Sequence, residues 1–156
     1  MMDRTDPPLK SLYQELILQH YRSPKNRGTL DDPSVEISMN NPVCGDEITL
    51  QIRVRDDVIE AVRFSGQGCS ISQAAASMMT KLLEGRSLDE ADALGARFLQ
   101  MMHGDEEAAR DRSLGDLRAL AGVAKFPVRV KCALLAWNAM QEAGTRVRDG
   151  STDLSS

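Results

Sequence analysis

Two stretches of the chain alternate apolar and polar residues with a strict period of two. In "SVEISM" the apolar positions are Val35, Ile37 and Met39. In "DEITLQIRV" they are Ile48, Leu50, Ile52 and Val54. That period belongs to strands with one buried face. The polar "RDD" at 55–57 makes a short turn, and "VIEAVRFS" returns as a third strand whose inward face the pattern leaves ambiguous. Beyond Ser65 the period lengthens. Ile71, Ala74, Ala75, Met78, Met79 and Leu82 lie on one helical stripe, which makes the Met78–Met79 pair core packing. Ser70 and Gln73 fit a capping box there, and Gly85 fits a C-terminal cap. Ser87 and Glu90 form a second box, opening a helix that carries Leu88, Ala91, Leu94, Phe98 and Met102. "HGDEEAARDRS" reads as an exposed connection or a frayed helix, and Leu114 to Ala121 as a short helix. Pro127 suits a helix start, and the last helix runs from it to a stop at Gly144, with apolar residues on more than one side. At the other end, Leu12, Tyr13, Leu16, Ile17 and either His20 or Tyr21 recur at helical spacing from Leu9, until Ser23 and Pro24 end the run. The predicted class is α+β, a three-stranded antiparallel meander packed against several helices. Residues 1–8, ending in Pro7 and Pro8, are expected to be a flexible arm. Residues 9–144 form a single domain, and 145–156 a polar, disordered tail.

Length and composition narrow the class. The chain has 156 residues, 42% hydrophobic and 27% charged, enough for one domain with its own core. A net charge of −4 disfavours a nucleic-acid surface. No apolar run is long enough to span a bilayer, and "MMDRTDPPLK" lacks the apolar segment of a secretory signal, so a cytoplasmic location is expected. The three cysteines, Cys44, Cys69 and Cys132, are an odd count without an export signal, which argues against a disulfide framework. They are buried filler, reactive thiols or metal ligands. There is no CxxC pair, so a metal site would be assembled by the fold from distant segments.

Each cysteine stands where the chain can present a side chain. Cys44 is in the loop entering the second strand, Cys69 follows "GQG" at a helix start, and Cys132 is in the second turn of the last helix. Helix N-termini favour thiolate over thiol, and thiolate is the form that binds metal or attacks sulfur. Asp46 lies two residues from Cys44, so in an extended segment both project from one face, with Gly45 as a joint between them. Cys44, Asp46, Cys69 and Cys132 would make a tetrahedral set of three sulfurs and one oxygen, which suits zinc. A carboxylate is a harder ligand than thiolate and the easier to displace, so such a site leans towards chemistry over riveting. Each residue also has an ordinary reading, the cysteines as core filler and Asp46 as a turn residue, and spacing alone leaves both open.

Four blocks together resemble IscU-type iron–sulfur cluster assembly proteins: "LYQELILQHYRSPKNRG", "NPVCGDEITL", "GQGCSISQAAASMM" and "VKCALLAWNAM". The resemblance runs in order from about Leu12 to Ala143. Within this IscU/NifU-N-like family the chain looks like the SufU branch. Lys131 stands where the IscU branch commonly has a histidine before the third cysteine, and residues 70–131 leave room for the extra helical segment, about 86–112, of SufU-like proteins. The resemblance implies an IscU/SufU-like fold and zinc bound by Cys44, Asp46, Cys69 and Cys132. It also implies a SufS-type PLP-dependent cysteine desulfurase as partner, with the sulfur passed on to downstream Fe–S assembly machinery.

On that reading the protein is a zinc-dependent sulfurtransferase. A desulfurase persulfide is electrophilic at its outer sulfur and needs a thiolate to attack it. Zinc keeps thiolates deprotonated but ties up their lone pairs, so docking would have to free one of them. Cys44 is the expected acceptor because a loop thiol can move, whereas Cys69 and Cys132 are on helices. Arg129, nearly one helical turn before Cys132, is a candidate for the mouth of the site, where it would orient the partner or stabilise the thiolate. Its ordinary reading is a surface arginine. Lys131 points elsewhere on the helix, His20 is read as structural or partner-facing, and His103 is given no role. Two other functions compete. One is a scaffold on which a transient Fe–S cluster, or iron in place of zinc, is held and handed on. The other is a binding module whose zinc only stabilises the fold.

Overall fold

The computed structural model describes residues 6–43 and 45–150, with side chains from Leu12 onward. Helix α1 (Asp6–Arg22) leads to strands β1 (Val35–Asn41), β2 (Asp46–Arg55) and β3 (Val58–Gln67). Helices α2 (Ser70–Leu83), α3 (Leu88–Met102) and α4 (Glu106–Ala109), a 3₁₀ segment (Arg112–Lys125) and helix α5 (Pro127–Arg148) follow. The sheet is an antiparallel meander in the order β1-β2-β3. Its inward residues are the expected stripes: Val35 and Ile37 from β1 and Ile48, Leu50 and Ile52 from β2 are buried. α5 packs against β1 and β2, and α2 against β3, so the core lies between sheet and helices.

The ambiguity of the third strand has a physical cause. Arg53 pairs with Ala61 and Val54 with Ile59, so Glu60 is an extra residue, a β-bulge. The bulge shifts the phase of the alternation, which lets Ile59 and then Val62 and Phe64 all enter the core.

Several boundaries differ from the sequence expectation. α1 begins at Asp6, three residues earlier than Leu9, with Pro7 and Pro8 in its first turn. Proline is tolerated there because its missing N–H would have had no intrahelical partner. Residues 1–5 of the expected arm lie outside the described residues. α5 does not stop at Gly144 but continues to Arg148. The extra turn is tied down: Arg148 pairs with Asp89 at 3.0 Å and Asp92 at 2.8 Å on α3, and Arg146 pairs with Glu142 at 3.1 Å. Residues 151–156 of the expected tail are outside the described residues. "HGDEEAARDRS" contains the four-residue helix α4, capped by Asp105 through the N–H groups of Glu107 and Ala108.

The short helix expected at 114–121 is instead two 3₁₀ pieces meeting at Gly115 (φ 55°, ψ −132°). Leu114, Leu117, Leu120 and Val123 are buried at intervals of three, the period of a 3₁₀ turn. Asp111 caps this segment. Hydrogen bonds from Ser113 and then Arg97 hold its pKa down to about 2.

His20 is structural. It is 4% exposed, with Nδ1 2.6 Å from Ser77 Oγ and Nε2 2.9 Å from Asp116 Oδ2, so it joins α1, α2 and the 3₁₀ segment. Burial opposes ionisation of Asp116, but hydrogen bonds from His20 and Lys81 and the charges beside them outweigh it and lower its pKa. His103 is exposed and ends α3, and Met78 and Met79 are core residues.

Candidate metal centre

The two inward stripes of β1 and β2 both end in a polar residue. Asn41 closes the series Val35, Ile37, Met39, and Asp46 opens the series Ile48, Leu50, Ile52. The two are paired across the hairpin. Asp46 is therefore carried inward by strand alternation and is fully buried. From the far end of β3 the chain passes through Gly68, whose φ of 151° favours glycine, to Cys69. A Cβ at Gly68 would fall on Asp46 Oδ1 and crowd Ser72 Oγ, so only glycine lets the two segments approach this closely.

Cys69, not Ser70, is the N-cap of α2. Its Sγ accepts from the Ser72 N–H at 3.5 Å, and the expected Ser70–Gln73 box does not form. The reason is the strand exit: Asp46 Oδ1 accepts the Cys69 N–H at 2.8 Å, which fixes Cys69 in an extended conformation one residue before the helix. Gly45, at φ 72°, occupies the left-handed region, as a joint before Asp46 requires. Cys132 comes from the opposite end of the chain on α5, is fully buried, and has its Sγ 3.9 Å from the Val128 carbonyl, to which the thiol donates.

One donor atom each from Asp46, Cys69 and Cys132 lies within 4.8 Å of the others. A zinc–sulfur bond of about 2.3 Å implies sulfur–sulfur edges of roughly 3.8 Å around a tetrahedral ion, so the cluster is within about an ångström of closing on one. Burial adds a chemical argument. Among the described residues no cation pairs with the Asp46 carboxylate, whose contacts are the Cys69 N–H and, at 3.9 Å, the Cys69 thiol. A buried carboxylate needs compensation, and a divalent cation held with two thiolates supplies it. The residues present fit zinc.

Cys44, the fourth expected ligand and the expected acceptor, is outside the described residues. Its neighbours Val43 and Gly45 belong to the turn between β1 and β2. Arg129 and Lys131 are both exposed and outside the donor cluster. Arg129 lines an apolar groove of about 450 Å³ with Tyr13, Ile17, Ile71, Val123 and Phe126. Ile71 is two residues from Cys69 and Arg129 three from Cys132, so this groove adjoins the cluster along the chain. Asn41 and Ser72 are the residues that motif reading missed. For Asn41 a signal existed: it is the polar member of an otherwise apolar inward stripe.

A meander and a central helix bring an aspartate and two cysteines together in an α+β domain with a candidate metal site. The sequence matches the model of the NifU-like N-terminal domain over residues 12–143, and the chain belongs to that family. The zinc-dependent sulfurtransferase SufU of Bacillus subtilis is 43% identical over 143 residues, covering 92% of this chain and 96% of that protein. The iron–sulfur cluster assembly scaffold protein IscU of Streptococcus pyogenes is 45% identical over 135 residues, covering 86% and 84%. Among solved structures, a candidate scaffold protein for the SUF system from Fervidobacterium islandicum superposes with a TM-score of 0.74 at 32% identity, covering 81% of this chain and 92% of that one. Among the described residues no helix is long and apolar enough to cross a membrane.

Proposed function

We propose that this protein is a zinc-dependent sulfurtransferase of iron–sulfur cluster assembly, acting in the cytoplasm and accepting persulfide sulfur from a SufS-type PLP-dependent cysteine desulfurase. The observation that carries the reading is the buried Asp46 carboxylate, without a described cationic partner, beside two cysteine sulfurs. Likeness to the Bacillus subtilis zinc-dependent sulfurtransferase over nearly the whole chain supports it. Cys44, Asp46, Cys69 and Cys132 hold the metal. Zinc, when bound, keeps the cysteines as thiolates at neutral pH.

The chain's own residues divide the rest of the work. Asp46 accepts the Cys69 N–H with Oδ1, which orients the carboxylate, and Oδ2 would be the oxygen offered to a metal. Cys69 and Cys132 stand on helices and keep their positions. Cys44, in the inter-strand connection, is the thiolate that attacks the outer sulfur of the desulfurase persulfide. The sulfur–sulfur bond of the donor breaks, its electron pair returns to the desulfurase cysteine as thiolate, and a Cys44 persulfide forms. Arg129, at the rim of the adjoining groove, faces the partner. The sulfur then passes to the downstream assembly machinery.

The test is persulfide labelling followed by mass spectrometry after incubation with desulfurase and cysteine. Wild type gains one sulfur on Cys44, and Cys44→Ala gains none. Labelling of Cys44→Ala at the wild-type level sinks the assignment. A scaffold function is the second reading, favoured by the likeness to the Streptococcus pyogenes IscU. It wins if anaerobic reconstitution with iron and sulfide yields a cluster that transfers intact to an apo-protein.

A further inference from the structure

Asn41 is 8% exposed, an unusual place for a carboxamide at the end of an otherwise apolar stripe. Its two oxygens and its carboxamide nitrogen each have a contact. The backbone carbonyl accepts from the Gly45 N–H at 2.9 Å, and the side-chain Oδ1 accepts from the Val43 N–H at 3.3 Å, so two acceptors of one residue brace the turn from both sides. With Oδ1 committed to Val43, the carboxamide orientation is set and Nδ2 faces the last helix, 4.0 Å from Cys132 Sγ. Asn41 thus bridges β1, the inter-strand turn and α5.

The groups around Cys132 Sγ differ in kind: the Val128 carbonyl at 3.9 Å is an acceptor, whereas the Asn41 carboxamide at 4.0 Å offers an N–H. A metal-bound cysteine sulfur carries no proton and keeps lone pairs, so of the two groups it is the N–H that can donate to it. Outer-shell donors of this kind orient ligands and tune how firmly they hold a metal.

We infer that Asn41 is a positioning residue of the metal centre, whose Nδ2–H group donates to the Cys132 sulfur in its metal-binding form while Oδ1 anchors the turn. This inference rests on the reading of Asp46, Cys69 and Cys132 as metal ligands, and its test separates the two. Asn41→Asp keeps an oxygen for the Val43 N–H but replaces the donor with an acceptor; Asn41→Ala removes both.

Zinc content of wild type and both variants is measured after purification, followed by the rate of zinc transfer to a chromophoric chelator. Metal-free samples are compared by thermal melting as a fold control. Wild type holding no zinc defeats the ligand reading itself. If wild type holds zinc, both variants are expected to lose it roughly 10–100-fold faster while melting as folded proteins. Asn41→Asp retaining zinc as wild type does would overturn the inference, because the donor would then be dispensable whatever Asn41→Ala shows. Cobalt(II) loading adds a readout independent of sulfur transfer: a shifted thiolate-to-cobalt absorption band in Asn41→Asp is expected, and an identical band contradicts the contact.

Discussion

Asp46 is fully buried and its two oxygens have different surroundings. Oδ1 is bound to the Cys69 N–H at 2.8 Å, while Oδ2 faces the cysteine sulfur at 3.9 Å. Asp46→Asn isolates the charge, since its amide oxygen still accepts from Cys69. The expected result is a folded protein whose zinc affinity falls at least as far as the ~10-fold that outer-shell changes cost, read by chelator competition; unchanged affinity would remove Asp46 from the ligand set. At this scale the sequence was informative about ligands and silent about their supports. Cys44, Asp46, Cys69 and Cys132 stood out as candidates by residue type and position, spacing alone left their ordinary reading open, and the fold brings Asp46, Cys69 and Cys132 together. Asn41 and Ser72 are ordinary residue types whose meaning comes from distances across the fold. Gly68 was visible only as part of the "GQG" before Cys69, although its role is to leave space for a carboxylate 22 positions earlier in the chain.

Elements were legible where their period was clean and misplaced where a local contact overrode it. β1 and β2 follow their alternation, and α3 starts at the Ser87–Glu90 capping box. Conversely, the α2 cap moved to Cys69 because a side chain from another strand captured its N–H, a contact that no local rule contains. The bulge at Glu60 and the 3₁₀ pieces around Gly115 are similar cases. The contact of α3 with α5 offers a test at this scale. Gly95 lies on the buried side of α3, and a Cβ there would penetrate the Trp137 indole. Helix propensity predicts that Gly95→Ala stabilises by about 1 kcal/mol. Overpacking costs about 1–3 kcal/mol, and since backbone and a large ring would both have to shift, the loss wins. Urea denaturation should show a lower midpoint, and a raised midpoint would mean that α3 and α5 are not held this closely.

For the molecule as a whole, the fold brings together residues that the chain keeps far apart. The β1–β2 hairpin supplies Asp46 and Asn41, the exit of β3 supplies Cys69, and α5 supplies Cys132 from 63 residues further on. Three separate elements must dock before the donors meet, so the site reports on the tertiary structure, and a metal held there would in turn favour that structure. α5 is the central member, packed on β1, β2, α2, α3 and the 3₁₀ segment. Its apolar residues on several sides announced this in the sequence. Its last turn did not, because the pairing of Arg148 with Asp89 and Asp92 depends on α3 lying alongside.

The central claim is that a zinc-loaded protein takes sulfur from a desulfurase. It is tested most directly by the steady-state turnover of a SufS-type desulfurase on cysteine, with the protein supplied zinc-loaded or metal-stripped. Turnover is expected to be faster with the zinc-loaded form, with none of that gain for the stripped form or for zinc-loaded Cys44→Ala. Equal turnover with and without the zinc-loaded protein would contradict it.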